Sequence, residues 1–399
     1  MTPALMELVL EQQNAALSDS LRLWRGVLNV PRMMRRAGDS RGLATAHRVV
    51  YTEGPMRLLQ FHRESPPVWA EPLLICSAPV SRPAILDLGP GRSVVRQLLA
   101  AGFDTYMIDW GLATPADRGT RLSNLVDGTM KDVVQLIRKR SRMPHFHLLG
   151  YCLGGTIATI FTALYPSVVK DLVLMSAPID LGGENSILKS WADEHYFDVD
   201  AFIDAFGNCP GAFLRSLFAL VNPVRNLYGK FGELAGRIHD EEFVESFMAL
   251  QRWESAPVSV AGEAFRDIVK SLYQQNLLAR GQLQINGTRV RLDRIACAVL
   301  LLTATDDQLV APRSTIGLVP LICSRDVKVM SLVGGHESLA VSSKAHGTFW
   351  PEAAQWIADH STPRTGPWIR PGEDASGRPE FVFAEKADPA FKNSPEPTA

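Results

Sequence analysis

Two rhythms of apolar and polar positions run through this chain. Between Pro3 and about Arg36, Leu5, Leu8, Leu10, Leu17, Leu21 and Leu23 stand among polar neighbours, a spacing that predicts an amphipathic helix. Short apolar or alternating runs then predict strands at His47–Thr52 and Arg57–Phe61. Further strands are expected at "LLICSA" after the Pro-rich break "ESPPVWAEP", at "DTYMIDW", at "HFHLLG" and at Asp171–Ser176. Helical runs lie between them. "GRSVVRQLLAAG" is closed by Gly102, and "TRLSNLVDGTMKDVVQLIRKR" ends in Arg138, Lys139 and Arg140. Those cations suit the negative end of a helix on a solvated face. A third helix, Leu153–Leu164, is stopped by Pro166.

Alternating strands and helices of this kind predict an α/β fold with a mostly parallel central sheet flanked by helices. The rhythm stops at about Ala177. From there to Arg291 the pattern is helical and carries Trp191, Tyr196, Phe197, Phe218, Trp253, Phe265 and Tyr273. Within it "LQINGTRV" reads as a hairpin with an Asn-Gly turn. The sheet rhythm resumes with "CAVLLLTA" and "DVKVMSLV", and a final helix is expected from about Thr348 to Ala358. The expected organisation is an N-terminal helical arm (1–44), a first core part (45–176), a largely helical cap inserted between core strands (177–291), a second core part (292–360) and a flexible tail (361–399). The tail is rich in Pro, Gly and charge, apart from a short "EFVF". The cap aromatics are read as core, and none is assigned to a substrate.

Composition narrows the function classes. Forty-one basic residues against forty-two acidic ones leave a net charge of -1, which argues against nucleic acid as a main partner. Five cysteines, Cys76, Cys152, Cys209, Cys297 and Cys323, show no metal-type spacing. They read as reduced, mostly buried thiols of a cytoplasmic protein, with no metal and no cofactor expected. The chain opens without a basic segment before an apolar run, and no window reaches about 18 apolar residues, so neither a signal peptide nor a transmembrane segment is expected.

The chemistry concentrates in "HLLGYCLGGT", where Gly150-Tyr151-Cys152-Leu153-Gly154 joins a strand to a helix. This fits the G-x-S-x-G corner of α/β hydrolases with sulfur replacing oxygen. The glycines suit a corner that holds its central residue strained against close neighbours. A helix N-terminus behind Cys152 favours a thiolate. The N–H of Leu153 would face an oxyanion, with Val80, on the loop from Cys76 to Arg82, as second donor. The bland alternative is that Cys152 is a small core residue. Partners argue for chemistry: in this corner's usual chain order an acid and then a histidine follow on loops after late strands. Asp307 ends "LLLTATDD" and His336 ends "VMSLVGGH". Asp306 reads as a solvated loop carboxylate.

On these residues and on wider segments the chain resembles the catalytic subunit of class III, two-subunit polyhydroxyalkanoate synthases. "RPAILDLGPGRSVVRQLLAAGFDTYMIDWG", "GEAFRDIVKSLYQQNLLARGQLQINGTRVRL" and "VGGHESLAVSSKA" carry the resemblance together with the cysteine corner, over about residues 45 to 360. It implies an α/β-hydrolase fold, with Cys152 as acylated nucleophile, His336 as base, and Asp307 orienting the histidine or helping to activate the substrate hydroxyl. It further implies 3-hydroxyacyl-CoA as substrate and a growing polyester as product. Implied partners are a second synthase subunit and a polyester granule surface, and a homodimer is allowed. The N-terminal arm would serve such contacts or pack on its own core. The competing readings are a thioesterase or intracellular depolymerase of the same fold, and a non-enzymatic subunit that keeps it. The sequence departs from the family pattern at Gln308, usually His, and at Glu337 and Ser338, usually an apolar residue and Gly. Glu337 would raise the His336 pKa or face solvent.

Overall fold

The computed structural model describes residues 42–365, apart from position 90, the segments 184–186 and 222–233, and positions 235 and 257. The helix expected over residues 3–36 and the "EFVF" segment lie outside the described residues. Eight strands form one sheet: β1 (His47–Glu53), β2 (Met56–Phe61), β3 (Leu73–Cys76), β4 (Thr105–Asp109), β5 (Phe146–Tyr151), β6 (Val169–Met175), β7 (Ala298–Ala304) and β8 (Val327–Leu332). Their spatial order is β1-β2-β4-β3-β5-β6-β7-β8. β1 pairs antiparallel with β2, and β2 with β4. Every other pairing is parallel. A two-residue turn at Gly54 and Pro55 suffices for the first hairpin, whereas parallel neighbours need longer crossovers, which here contain helices.

Strand periodicity divides the core in two. Leu148, Leu172, Leu174, Val299 and Leu301 face one side of the sheet, and Leu149, Val173, Met175, Leu300 and Leu302 face the other. Because both faces are covered, these strands read as unbroken apolar runs rather than as alternation. α1 (Val94–Ala100) packs on the second face, where the Ser93 hydroxyl caps it by accepting from the Arg96 N–H at 2.9 Å. α2 (Lys131–Ser141) and α3 (Leu153–Leu164) pack on the first face. All twelve residues of α3 are buried, which is why its sequence is apolar on every side.

Between β6 and β7 the described residues form α4 (Ile187–Ala192), α5 (Val199–Phe206), α6 (Gly211–Val221), α7 (Glu241–Ser255) and α8 (Gly262–Asp267). A phenylalanine cluster binds several of them. Phe202 lies 5.4 Å from Phe197, 4.7 Å from Phe213 and 6.1 Å from Phe265, ring centre to ring centre. The hairpin expected at 283–290 is present, with Asn286 and Gly287 both at positive φ (49° and 78°), the signature of a type I′ turn. The closing helix α9 (Trp350–Asp359) lies on the second face. Among the described residues no helix is long and apolar enough to cross a membrane.

At the opposite end of β5 from the cysteine corner, His147 stands directly across from Asp171 of β6. Both are fully buried, and Nδ1 of the imidazole lies 2.8 Å from the carboxylate. The Ser361 hydroxyl lies 3.0 Å from the other ring nitrogen, which fastens the chain leaving α9 to the sheet. Asp171→Ala would leave a buried N–H without an acceptor. We expect this change to lower unfolding stability by about 2 kcal/mol or more in urea titrations; an unshifted midpoint would remove the pair from the account of stability.

Candidate active site

Cys152 sits between β5 and α3 with φ 52° and ψ -128°, a conformation that non-glycine residues seldom adopt. Its surroundings leave no freedom. A Cβ on Gly150 would lie 2.4 Å from the Gly155 Cα. One on Gly154 would lie 2.2 Å from the Cys76 carbonyl oxygen, and one on Gly155 2.5 Å from the Ala177 Cβ. Hydrogen bonds hold the turn: the Cys152 N–H donates to Met175 O at 2.9 Å, and the Gly155 N–H donates to Cys152 O at 2.8 Å. The thiol is half-buried at the start of a three-turn helix, where peptide dipoles favour negative charge. By contrast, burial pushes the thiols of Cys76 and Cys209 upward, and that of Cys297 to about 12.

The loops after β7 and β8 bring Asp307 and His336 together. Oδ2 of Asp307 lies 2.7 Å from Nδ1 of His336, and both side chains are buried. Oδ1 of Asp307 accepts the N–H groups of Leu309 and Val310 at 2.9 and 2.8 Å, so the carboxylate is held from both sides. The Cys152 side chain neighbours the imidazole, and both line one cavity. Burial opposes the imidazolium, but the Asp307 charge, the neighbouring Cys152 and the hydrogen bond to Asp307 outweigh it. The His336 pKa therefore stands well above its ordinary 6.5. Packing reinforces the placement: the Tyr151 ring lies 5.3 Å from the His336 ring, centre to centre. Asp306 is exposed and uses its N–H on Gly334 O at 2.9 Å.

The loop that follows β3 is tied from beneath. The Ser77 hydroxyl donates to Ile108 O at 2.6 Å, and the Trp110 indole N–H donates to Ser77 O at 2.7 Å. Val80 at the far side of this loop shares a cavity wall with Leu153 and Cys152. Among the described residues, neither the Val80 nor the Leu153 N–H donates to a protein acceptor. Two peptide donors are thus free on the thiol's wall. The cavity measures about 1120 Å³. Its lining includes Trp191, Phe197, Phe213, Phe218, Phe265 and Tyr273.

A family model described as the alpha/beta hydrolase fold matches residues 83–339. The chain is 38% identical over 317 residues to a protein of Haloferax mediterranei named poly(3-hydroxyalkanoate) polymerase subunit PhaC. That alignment covers 79% of this chain and 64% of the relative, so the chain spans less than two thirds of the relative's length. It is 33% identical over 310 residues to the protein of the same name from Allochromatium vinosum, covering 77% of this chain and 87% of that one. The chain belongs to the PhaC polymerase family. Its fold also matches a solved soluble variant of monoglyceride lipase from Saccharomyces cerevisiae, with a TM-score of 0.52 at 12% identity, over 81% of this chain and 97% of that one. At that identity the likeness concerns the fold alone.

The departures from the PhaC pattern fall on the cavity wall. Ser338 is structural: its hydroxyl accepts the Gly335 N–H at 3.1 Å. Gly334 beside it, at φ 146°, has no room for a Cβ, which would lie 2.7 Å from the Ser338 Cβ. Glu337 is half-buried rather than solvent-facing, and after burial its charge is the chief cause that raises the Tyr151 phenol pKa. Gln308 is exposed at the cavity edge. The aromatic residues named in the helical block were expected in the core; Phe265 is buried there, Phe197, Phe218, Trp253 and Tyr273 pack against it, and all seven also line the cavity. Apolar periodicity marks a buried face and does not tell a packed face from a pocket wall.

Because the folded imidazole is more basic than an unfolded one, the Asp307–His336 pair stabilises the fold most below pH 6.5 and loses that contribution as pH rises through the raised value. Asp307→Asn removes the charge that does most to raise it. The His336 titration, followed by NMR, is expected to move to lower pH in the variant; an unmoved midpoint would show that Asp307 does not set the basicity of the ring.

Proposed function

We propose that this chain is the catalytic subunit of a class III-type polyhydroxyalkanoate synthase, an acyltransferase acting on short 3-hydroxyacyl-CoA esters such as 3-hydroxybutyryl-CoA. The observation that carries the reading is a thiol, rather than a hydroxyl, beside the hydrogen-bonded His336–Asp307 pair at the wall of a largely apolar cavity. Membership of the PhaC family supports the reaction class.

In this reading the Cys152 thiolate attacks the thioester carbonyl, and the N–H groups of Leu153 and Val80 receive the oxyanion. Loss of one such donor typically costs about 3 kcal/mol of barrier. The C–S bond to coenzyme A breaks, and the His336 imidazolium returns its proton to the leaving thiolate. His336 then takes the proton of a 3-hydroxyl on another unit, whose oxygen attacks the cysteine thioester. An ester bond forms, Cys152 leaves as thiolate, and the imidazolium is restored. Asp307 keeps the ring oriented throughout. Sulfur suits this sequence because thioester-to-thioester exchange keeps the acyl group activated for the next ester bond. An apolar cavity helps by excluding the water that would hydrolyse the acyl enzyme. A second synthase subunit and the surface of a polyester granule are the partners proposed with this activity, together with a cytoplasmic location.

Cys152→Ala is expected to abolish coenzyme A release from 3-hydroxybutyryl-CoA, assayed with and without a candidate second subunit. The parent is expected to yield polymer. Release by the variant at the parent's rate would reject Cys152 as nucleophile. Free 3-hydroxybutyrate without polymer from the parent would establish a thioesterase instead.

A further inference from the structure

Besides His336, the described cavity wall carries two cations, Arg82 and Arg215. Arg82 follows Val80 by two positions and opens the short helical turn Pro83–Leu86, so it stands on the same loop as the free peptide donor. It is half-buried, whereas Arg215, on α6, is exposed at the rim. Neither has a carboxylate partner among the described residues. Both are fastened to the last turn of α7. The Trp253 indole N–H donates to the Arg82 carbonyl at 2.8 Å, and a guanidinium N–H of Arg215 donates to the Ser255 carbonyl at 3.3 Å. Both arginines line the same cavity and both touch the end of α7, Arg82 half-buried and Arg215 exposed. The carboxylates Asp306 and Glu337 lie on the His336 side. Glu254, on the arginine side, is engaged by the Gln251 amide at 2.7 Å.

With no carboxylate partner among the described residues, these guanidinium groups bring positive charge to a largely apolar wall and can take an anion from the ligand. Guanidinium groups match phosphate oxygens in charge and in paired geometry. We infer that Arg82 and Arg215 form a phosphate subsite for the diphosphate of the coenzyme A moiety. The Asp306 and Glu337 carboxylates repel the same polyanion from the histidine side, so the two signs orient the thioester toward Cys152. The inference rests on the reaction proposed above and names how its substrate is gripped.

The test compares two thioesters on the full-length chain: 3-hydroxybutyryl-CoA, and 3-hydroxybutyryl-pantetheine, which lacks the phosphates. The reading is the ratio of kcat/KM between them, which cancels any general loss of folded enzyme. Arg82→Gln and Arg215→Gln are each expected to reduce the preference for the coenzyme A ester by about tenfold, the scale of one charge-assisted hydrogen bond. Arg82→Lys should retain part of it. A ratio equal to the parent's in both glutamine variants would overturn the subsite. Calorimetric binding of free coenzyme A separates this inference from the proposed reaction. Weakened binding in the glutamine variants supports the subsite even if Cys152 is never acylated, and unchanged binding in them counts against it even where acylation proceeds.

Discussion

The site depends on the line of side chains from Asp307, through its hydrogen bond to His336, to the neighbouring Cys152, which joins three loops of the sheet. Each end of the line is fixed by backbone. Two peptide N–H groups hold the far oxygen of Asp307, and the Met175 carbonyl takes the Cys152 N–H. Without those anchors, a carboxylate and an imidazole buried side by side would be a cost to folding rather than a device. With them, burial and charge pull in opposite directions on His336, and charge prevails.

The corner and the cavity solve different parts of one chemical problem. Positive φ at Cys152 lifts its sulfur out of the strand, and the glycines at 150, 154 and 155 let β3, β5 and α3 approach to the necessary distance. The tether from Trp110 to Ser77 holds the neighbouring loop, and with it Val80, against that corner. Around the cavity, aromatic side chains from the helices between β6 and β7 supply an apolar wall. In the proposed reaction such a wall would limit the water that competes with acyl transfer at Cys152.

Much of this was legible in the sequence. Apolar or alternating runs marked all eight strands; the central ones, buried on both faces, leave a continuous apolar trace, whereas the edge strands β1 and β8 are partly exposed. The glycine-flanked cysteine and the chain order of Asp307 and His336 marked the corner and its partners. The antiparallel edge was not read, because periodicity carries no strand direction. The cavity wall was not legible for a related reason: Phe265 belongs to a packed cluster and also lines the open space, and one pattern serves both. Glu337 could not be placed from its neighbours, because the cavity it lines is assembled from segments distant in the sequence. The grip of Trp253 on Arg82 is of the same kind, spanning 171 positions.

Butyryl-CoA, which lacks the 3-hydroxyl needed for chain extension, tests the central claim most directly. After brief mixing with the protein and rapid acid quench, peptide mass mapping is predicted to find a butyryl group on Cys152 and on no other cysteine. A butyryl group carried elsewhere, or a Cys152 peptide that stays unmodified while coenzyme A is released, would contradict the account.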